Sequence, residues 1–142
     1  MATQDPAQVA RGLVAAFNDG DWDTVRDNLT SDSVYDEVGT SRRLEGVDTI
    51  IGALHGWKEA MPDVKGTVAS SLTAGNTAVL EVSWTGTQTG PMATPSGTIP
   101  ASGKQQTTRA SWVLEVAGGK VKQSRQYFDM LSFMHQIGAL PG

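Results

Sequence analysis

Apolar residues recur at four-residue spacing near the start of the chain, at Val9, Leu13 and Phe17, behind Asp5-Pro6 and ahead of Asp19-Gly20. A capping aspartate, a first-turn proline, one apolar stripe and a closing glycine predict an amphipathic helix here. Asp21 is placed to cap a second, short helix with Trp22, Val25 and Leu29 on one side, which the polar Thr30-Ser31-Asp32 ends. Between 47 and 61 a third apolar stripe, Ile50, Ile51, Leu54, Trp57 and Met61, predicts a helix stopped by Pro62. Gly52 and Gly56 weaken that helix intrinsically, so packing must hold it.

Elsewhere the period shortens to two. Residues 33–38 read as a short strand with Tyr35 and Glu37 on one face and Val34 and Asp36 on the other. Residues 64–73 and 77–88 form two strands around Ala74-Gly75-Asn76, with Leu80, Val82 and Trp84 alternating against Glu81 and Ser83. The span 86–103 has the Gly, Pro, Thr and Ser content of a loop, yet is too long for a tight turn, which suits a lid or a dimer contact. Residues 107–116 and 121–128 supply the last long strands around Gly118-Gly119, and 130–137 a terminal helical segment. Helices first and antiparallel strands afterwards predict an α+β fold, a curved sheet wrapped round the N-terminal helices with an apolar pocket between the layers. Its expected lining is Phe17, Trp22, Leu54, Trp57, Trp84 and Trp112.

Composition narrows the chemistry. With 142 residues, 39% of them apolar, the chain is read as one domain spanning 1–142. It has no cysteine, which excludes disulfides, thiolate metal sites and thiol nucleophiles. A net charge of -4 and scattered Lys and Arg argue against nucleic acid as a partner. Neither His55 nor His135 sits in a metal-ligand motif, so no metal is expected. Met1-Ala-Thr-Gln-Asp-Pro6 lacks the features of a signal peptide and no apolar run is long enough to span a bilayer, so the expectation is a cytoplasmic protein with no membrane partner.

Asp129 ends the last strand beside aromatic rings, where it can act as a general base or simply cap the helical segment behind it. Asp36 is the other candidate acid or base; paired with Asp129 it would give two carboxylates of separated proton affinity. The plainer reading makes Asp36 and Glu37 solvated strand-end residues with Arg42 and Arg43 as surface partners. His55 is a candidate proton carrier or an exposed helix residue, and Arg109 an anion ligand or a strand-surface residue. A two-residue turn at Gly118-Gly119 sets Trp112 opposite Arg125, Ala110 opposite Tyr127 and Thr108 opposite Asp129; a one-residue bulge sets Gln126 and Phe128 beside Trp112 instead.

The blocks Gly46-Val-Asp-Thr-Ile-Ile, Met61-Pro-Asp-Val, Trp84-Thr-Gly-Thr-Gln-Thr-Gly90-Pro, Pro100-Ala-Ser-Gly103, Gly119-Lys-Val and Tyr127-Phe-Asp-Met-Leu, with Gln136-Ile-Gly138, resemble the SnoaL-like polyketide cyclase family in order across nearly the whole chain. The resemblance implies a cone-shaped α+β barrel of the ketosteroid-isomerase and nuclear-transport-factor type, a homodimer, and a small-molecule substrate handled without a cofactor. Ring-closing members use an Asp on the last strand and a His on the preceding one. Those positions fall at Gln126 and Trp112, an alignment that favours the bulged hairpin, and neither residue can take up a proton as the family's pair does. The resemblance therefore implies acid–base tailoring of a polyketide-like or aromatic molecule by Asp129 or Asp36, with Gln126 and Tyr127 orienting an oxygen and Trp112, Trp84, Trp57, Phe17, Arg109 and His55 in contact with substrate. Cyclisation, isomerisation, epoxide opening and hydroxylation-type reactions all fit. The alternative is a non-catalytic ligand-binding or dimerisation module of the same fold.

Overall fold

The computed structural model describes residues 5–140 except Pro95. Residues 1–4, part of the segment on which the absence of a leader was read, lie outside it.

Helix α1, Pro6–Asp19, starts at Asp5, whose carboxylate accepts from the Ala7 N–H, and ends at Gly20 in the left-handed region. Its buried face adds Ala10, Val14 and Ala16 to the predicted Val9, Leu13 and Phe17, and it packs on the sheet. Helix α2, Trp22–Asp27, is shorter than expected, because Leu29 is already the first residue of strand β1, Leu29–Glu37. There Leu29 is buried and pairs with Val121, a long-range contact that overrides the polar run following it. A three-residue 3-10 turn, Val38–Thr40, leads to β2, Arg42–Glu45. Its single apolar residue, Leu44, gave no strand signal in the sequence. Helix α3, Val47–Ala60, follows as predicted.

Strands β3, Lys65–Ala74, and β4, Thr77–Thr87, form the first long hairpin. A small hairpin of β5, Met92–Thr94, and β6, Gly97–Ile99, lies inside the span read as loop. That span is anchored by the fully buried Gln88, whose amide donates to the carbonyls of Gly90 and Pro100 and accepts from the Ser102 N–H. Strands β7, Gln105–Ala117, and β8, Lys120–Phe128, then run into α4, Met130–Gln136.

Six of the strands make one curved sheet in the order β2-β1-β8-β7-β4-β3. Neighbours are antiparallel except β1 and β8, which run parallel and so bring the end of the first strand beside the end of the last. The last hairpin takes the bulged register. Val116 pairs with Val121 but Glu115 pairs with Gln123, and Trp112 therefore faces Gln126. Burial explains the slip: the inward residues of β8 are Val121, Ser124 and Gln126, a spacing of three followed by two, which one extra residue accommodates.

Alternation along β7 buries Gln106, Thr108, Ala110, Trp112, Leu114 and Val116 against the helices. Two glycines permit close approaches: a Cβ at Gly66 would stand 2.5 Å from the Trp84 ring, and one at Gly39 would stand 2.5 Å from the Phe128 ring. Gly66 is held in place by Asn18 of α1, which exchanges two hydrogen bonds of 2.8 Å with its backbone. Among the described residues, no helix is long and apolar enough to cross a membrane.

Candidate functional site

The concave face of the sheet and helices α1, α3 and α4 enclose a hollow of about 70 Å³. Phe17 and Leu13 of α1, Leu54 and Trp57 of α3, and Phe133 of α4 close it on the helical side. Trp84, Trp112, Tyr35 and Phe128 line it from the sheet. The aromatic rings meet mostly edge to face: Phe17 on Trp84 at 5.3 Å, and Trp57 on Phe133 at 5.5 Å and on Phe128 at 6.4 Å.

A chain of polar groups runs through this apolar wall. The Trp84 indole N–H donates to the Gln126 carbonyl oxygen at 2.7 Å, and the Gln126 amide donates to the Tyr35 hydroxyl at 2.8 Å. Burial, reinforced by the Glu37 charge two residues along the same face of β1, pushes the Tyr35 phenol well above its ordinary proton affinity, so it stays a neutral donor. Glu37 is 1% exposed. Its Oε2 accepts from the Trp57 indole N–H at 2.9 Å, and its Oε1 accepts from Thr40 and from Arg42, whose Nη2 lies at 2.7 Å. Nearby, Thr108 donates to Gln106 at 2.6 Å. The Trp112 indole N–H is buried with no acceptor, the one such side-chain group among the described residues.

Five of the six expected lining residues, Phe17, Leu54, Trp57, Trp84 and Trp112, are in the wall, together with Gln126. Trp22 is not; it stands behind Phe17, edge-on at 6.1 Å, and against His55. The two aspartates expected to act in the hollow lie outside it. Asp129 is exposed and accepts from the Ser132 N–H as the N-cap of α4, the plainer of its two readings. Asp36 sits on the opposite face of β1 from Tyr35 and Glu37, as the period-two alternation requires. Tyr127 is 45% exposed because the bulge turns Gln126, not its neighbour, inward. Arg109 is exposed on β7. His55 is an exposed residue of α3 paired with Glu59 at 2.9 Å.

Glu37 is the acidic residue that sequence reasoning left on the surface. The signal was present in its sharing a face with Tyr35, but nothing in the sequence showed that Arg42, Thr40 and Trp57 would converge on it. Among the described residues, no three His, Asp or Glu side chains gather as a metal site.

No curated protein matches the sequence. Among solved structures the chain is similar to AclR, a candidate hydroxylase from Streptomyces galilaeus, at 19% identity and a TM-score of 0.80, covering 96% of this chain and 87% of that one. It is similar also to IdmH, a candidate polyketide cyclase from Streptomyces antibioticus, at 20% identity and a TM-score of 0.82, covering 95% and 99%. A third neighbour, a Catenulispora acidiphila protein with the ketosteroid isomerase-like fold, shares 17% identity at a TM-score of 0.79, covering 99% and 96%. At these identities the likeness shows the fold. The family assignment comes from the sequence itself, whose residues 7–137 match the model of the SnoaL-like polyketide cyclases. The chain belongs to the SnoaL-like polyketide cyclase family.

Proposed function

We propose that the protein carries out cofactor-independent acid–base chemistry on a small, largely apolar molecule, aromatic or polyketide-like, that bears a carbonyl or hydroxyl oxygen. Glu37 carries this reading: a carboxylate 1% exposed in the wall of a hollow otherwise lined mainly by rings and aliphatic chains. Such a group is costly to bury and is the hollow's natural proton acceptor. Tyr35, kept neutral by burial and by the Glu37 carboxylate beside it and accepting from Gln126, holds a proton that a substrate oxygen would draw away from Glu37. Enolisation next to a carbonyl is the elementary step these two groups fit. Cyclisation, isomerisation, epoxide opening and hydroxylation-type tailoring all draw on comparable proton movements, and the fold neighbours AclR and IdmH span hydroxylase and cyclase descriptions.

Solvent deuterium exchange at the α-carbon of a bicyclic aromatic ketone tests the reading directly. Glu37→Gln is expected to slow exchange by about a hundredfold or more, while Asp129→Asn and Asp36→Asn leave it unchanged. Exchange at the wild-type rate in Glu37→Gln would remove the proposal. A second reading, a ligand-binding module without turnover, is favoured by the full set of partners on Glu37, which has the look of a structural ion pair. Tight ketone binding with no exchange in the unaltered protein would select it. With the leading reading goes a single domain acting as a cytoplasmic homodimer, an assembly that sedimentation equilibrium checks.

A further inference from the structure

The hollow has the polar chemistry but not the room. Its volume of about 70 Å³ suits roughly two waters, whereas ligand sites run to roughly 300–1,000 Å³. Beside it lies a groove of about 780 Å³ between α3, α4 and the β5–β6 hairpin. Three methionines, Met92, Met130 and Met134, line the groove, a side chain that adapts to irregular shapes. Gly52 and Gly56 leave the facing side of α3 bare, with nothing within 4 Å of an added Cβ at either position.

Among the described residues, one lines both spaces: Trp57. The rest of the partition is equally thin. Gly39 on the groove side touches the Phe128 ring on the hollow side, and Thr40 and Arg42 on the groove side bond the Glu37 carboxylate that lines the hollow. The Trp57 indole is fixed by its hydrogen bond of 2.9 Å to that same carboxylate.

We infer that groove and hollow are two halves of one ligand site, with Trp57 the gate between them and Glu37 its latch. The ligand is a planar aromatic molecule whose apolar body rests in the groove and whose oxygen-bearing end passes Trp57 into the hollow. Trp112 offers a second pointer to such a ligand, since its buried N–H has no protein acceptor and an oxygen entering the hollow would supply one. The inference rests on the proposed function for its choice of ligand, but a ligand spanning both spaces must displace Trp57 whether or not chemistry follows. If the gate is mostly shut, apparent affinity is the intrinsic affinity reduced by the open fraction.

The experiment is binding of 1-anilinonaphthalene-8-sulfonate, followed by its emission on excitation of tryptophan, in full-length protein whose folding is checked by circular dichroism. Trp57→Phe keeps an aromatic ring but removes the indole N–H that Glu37 holds, and should tighten binding at least fivefold, mainly through faster association. Gly56→Leu fills the groove at a helical position where a side chain is favoured over glycine, and should weaken binding at least fivefold. Unchanged or weaker binding in Trp57→Phe, or unchanged binding in Gly56→Leu, overturns the composite site. Dye binding needs no proton transfer, so that failure is separate from a failure of Glu37 in the exchange assay.

Discussion

Arg42→Met is the most informative perturbation of this structure, because it removes the charge opposite Glu37 while keeping an aliphatic stem of similar length. Arg42 opens β2 directly across from Glu37 at the end of β1, and its Nη2 and Nε reach one carboxylate oxygen at 2.7 and 3.0 Å. The two side chains are unequally exposed, 35% for Arg42 and 1% for Glu37. Breaking a buried ion pair from one side costs roughly 3–5 kcal/mol, since the partner charge stays behind. Here the vacated place opens onto the groove and water can enter, which lowers the expectation to about 2–3 kcal/mol. In a chain of this size that is a fall of roughly 6–12 °C in Tm. The assay is equilibrium urea unfolding of Arg42→Met, Glu37→Gln and the double variant. Once one partner is gone the other should matter less, giving a coupling of about 1–2 kcal/mol. An Arg42→Met variant within about 0.5 kcal/mol of the unaltered protein, a shift typical of ordinary surface changes, would refute the view of Glu37 as a buried charge held by its neighbours.

Tyr35→Phe strips the Gln126 amide of its acceptor and should cost about 1–2 kcal/mol by urea unfolding. The pH profile gives an independent check. The folded phenol holds its proton where the unfolded one releases it, so this contribution is fully present below about pH 10, is lost as pH rises further, and is absent in Tyr35→Phe. Asp129→Ala should cost about 1 kcal/mol through loss of the α4 cap while ketone affinity stays the same; a collapse of binding would return Asp129 to the site. Gly39→Ala drives a methyl group to 2.5–2.6 Å from three Phe128 ring carbons and should cost about 1–3 kcal/mol in thermal unfolding; a neutral effect would mean that the partition yields freely.

Much of this fold was legible in the chain. Helices α1 and α3, the hairpins β3–β4 and β7–β8 and the cap at Asp129 each follow from local spacing, since a period of 3.6 or 2 and a capping side chain act within a few residues. Part of the aromatic lining, Phe17, Trp57, Trp84 and Trp112, was legible for the same reason, because large rings on the inward face of an amphipathic element have little choice but the interior, whereas Tyr35, Phe128 and Phe133 joined the wall only through tertiary packing.

The site itself was decided elsewhere. Alternation along β1 groups Tyr35 with Glu37 and sets Asp36 apart, but only the parallel pairing with β8 says which face is covered. The hydrogen bond from Gln126 to Tyr35 joins residues 91 positions apart, and that from Trp57 to Glu37 joins residues 20 apart across two elements. The β8 bulge, likewise, turns Gln126 inward and Tyr127 outward, a choice open in the sequence until Val121, Ser124 and Gln126 had neighbours to bury against. Sequence sets what each segment prefers on its own. Which carboxylate ends up enclosed depends on what packs over it, and that is a property of the assembled sheet and helices alone.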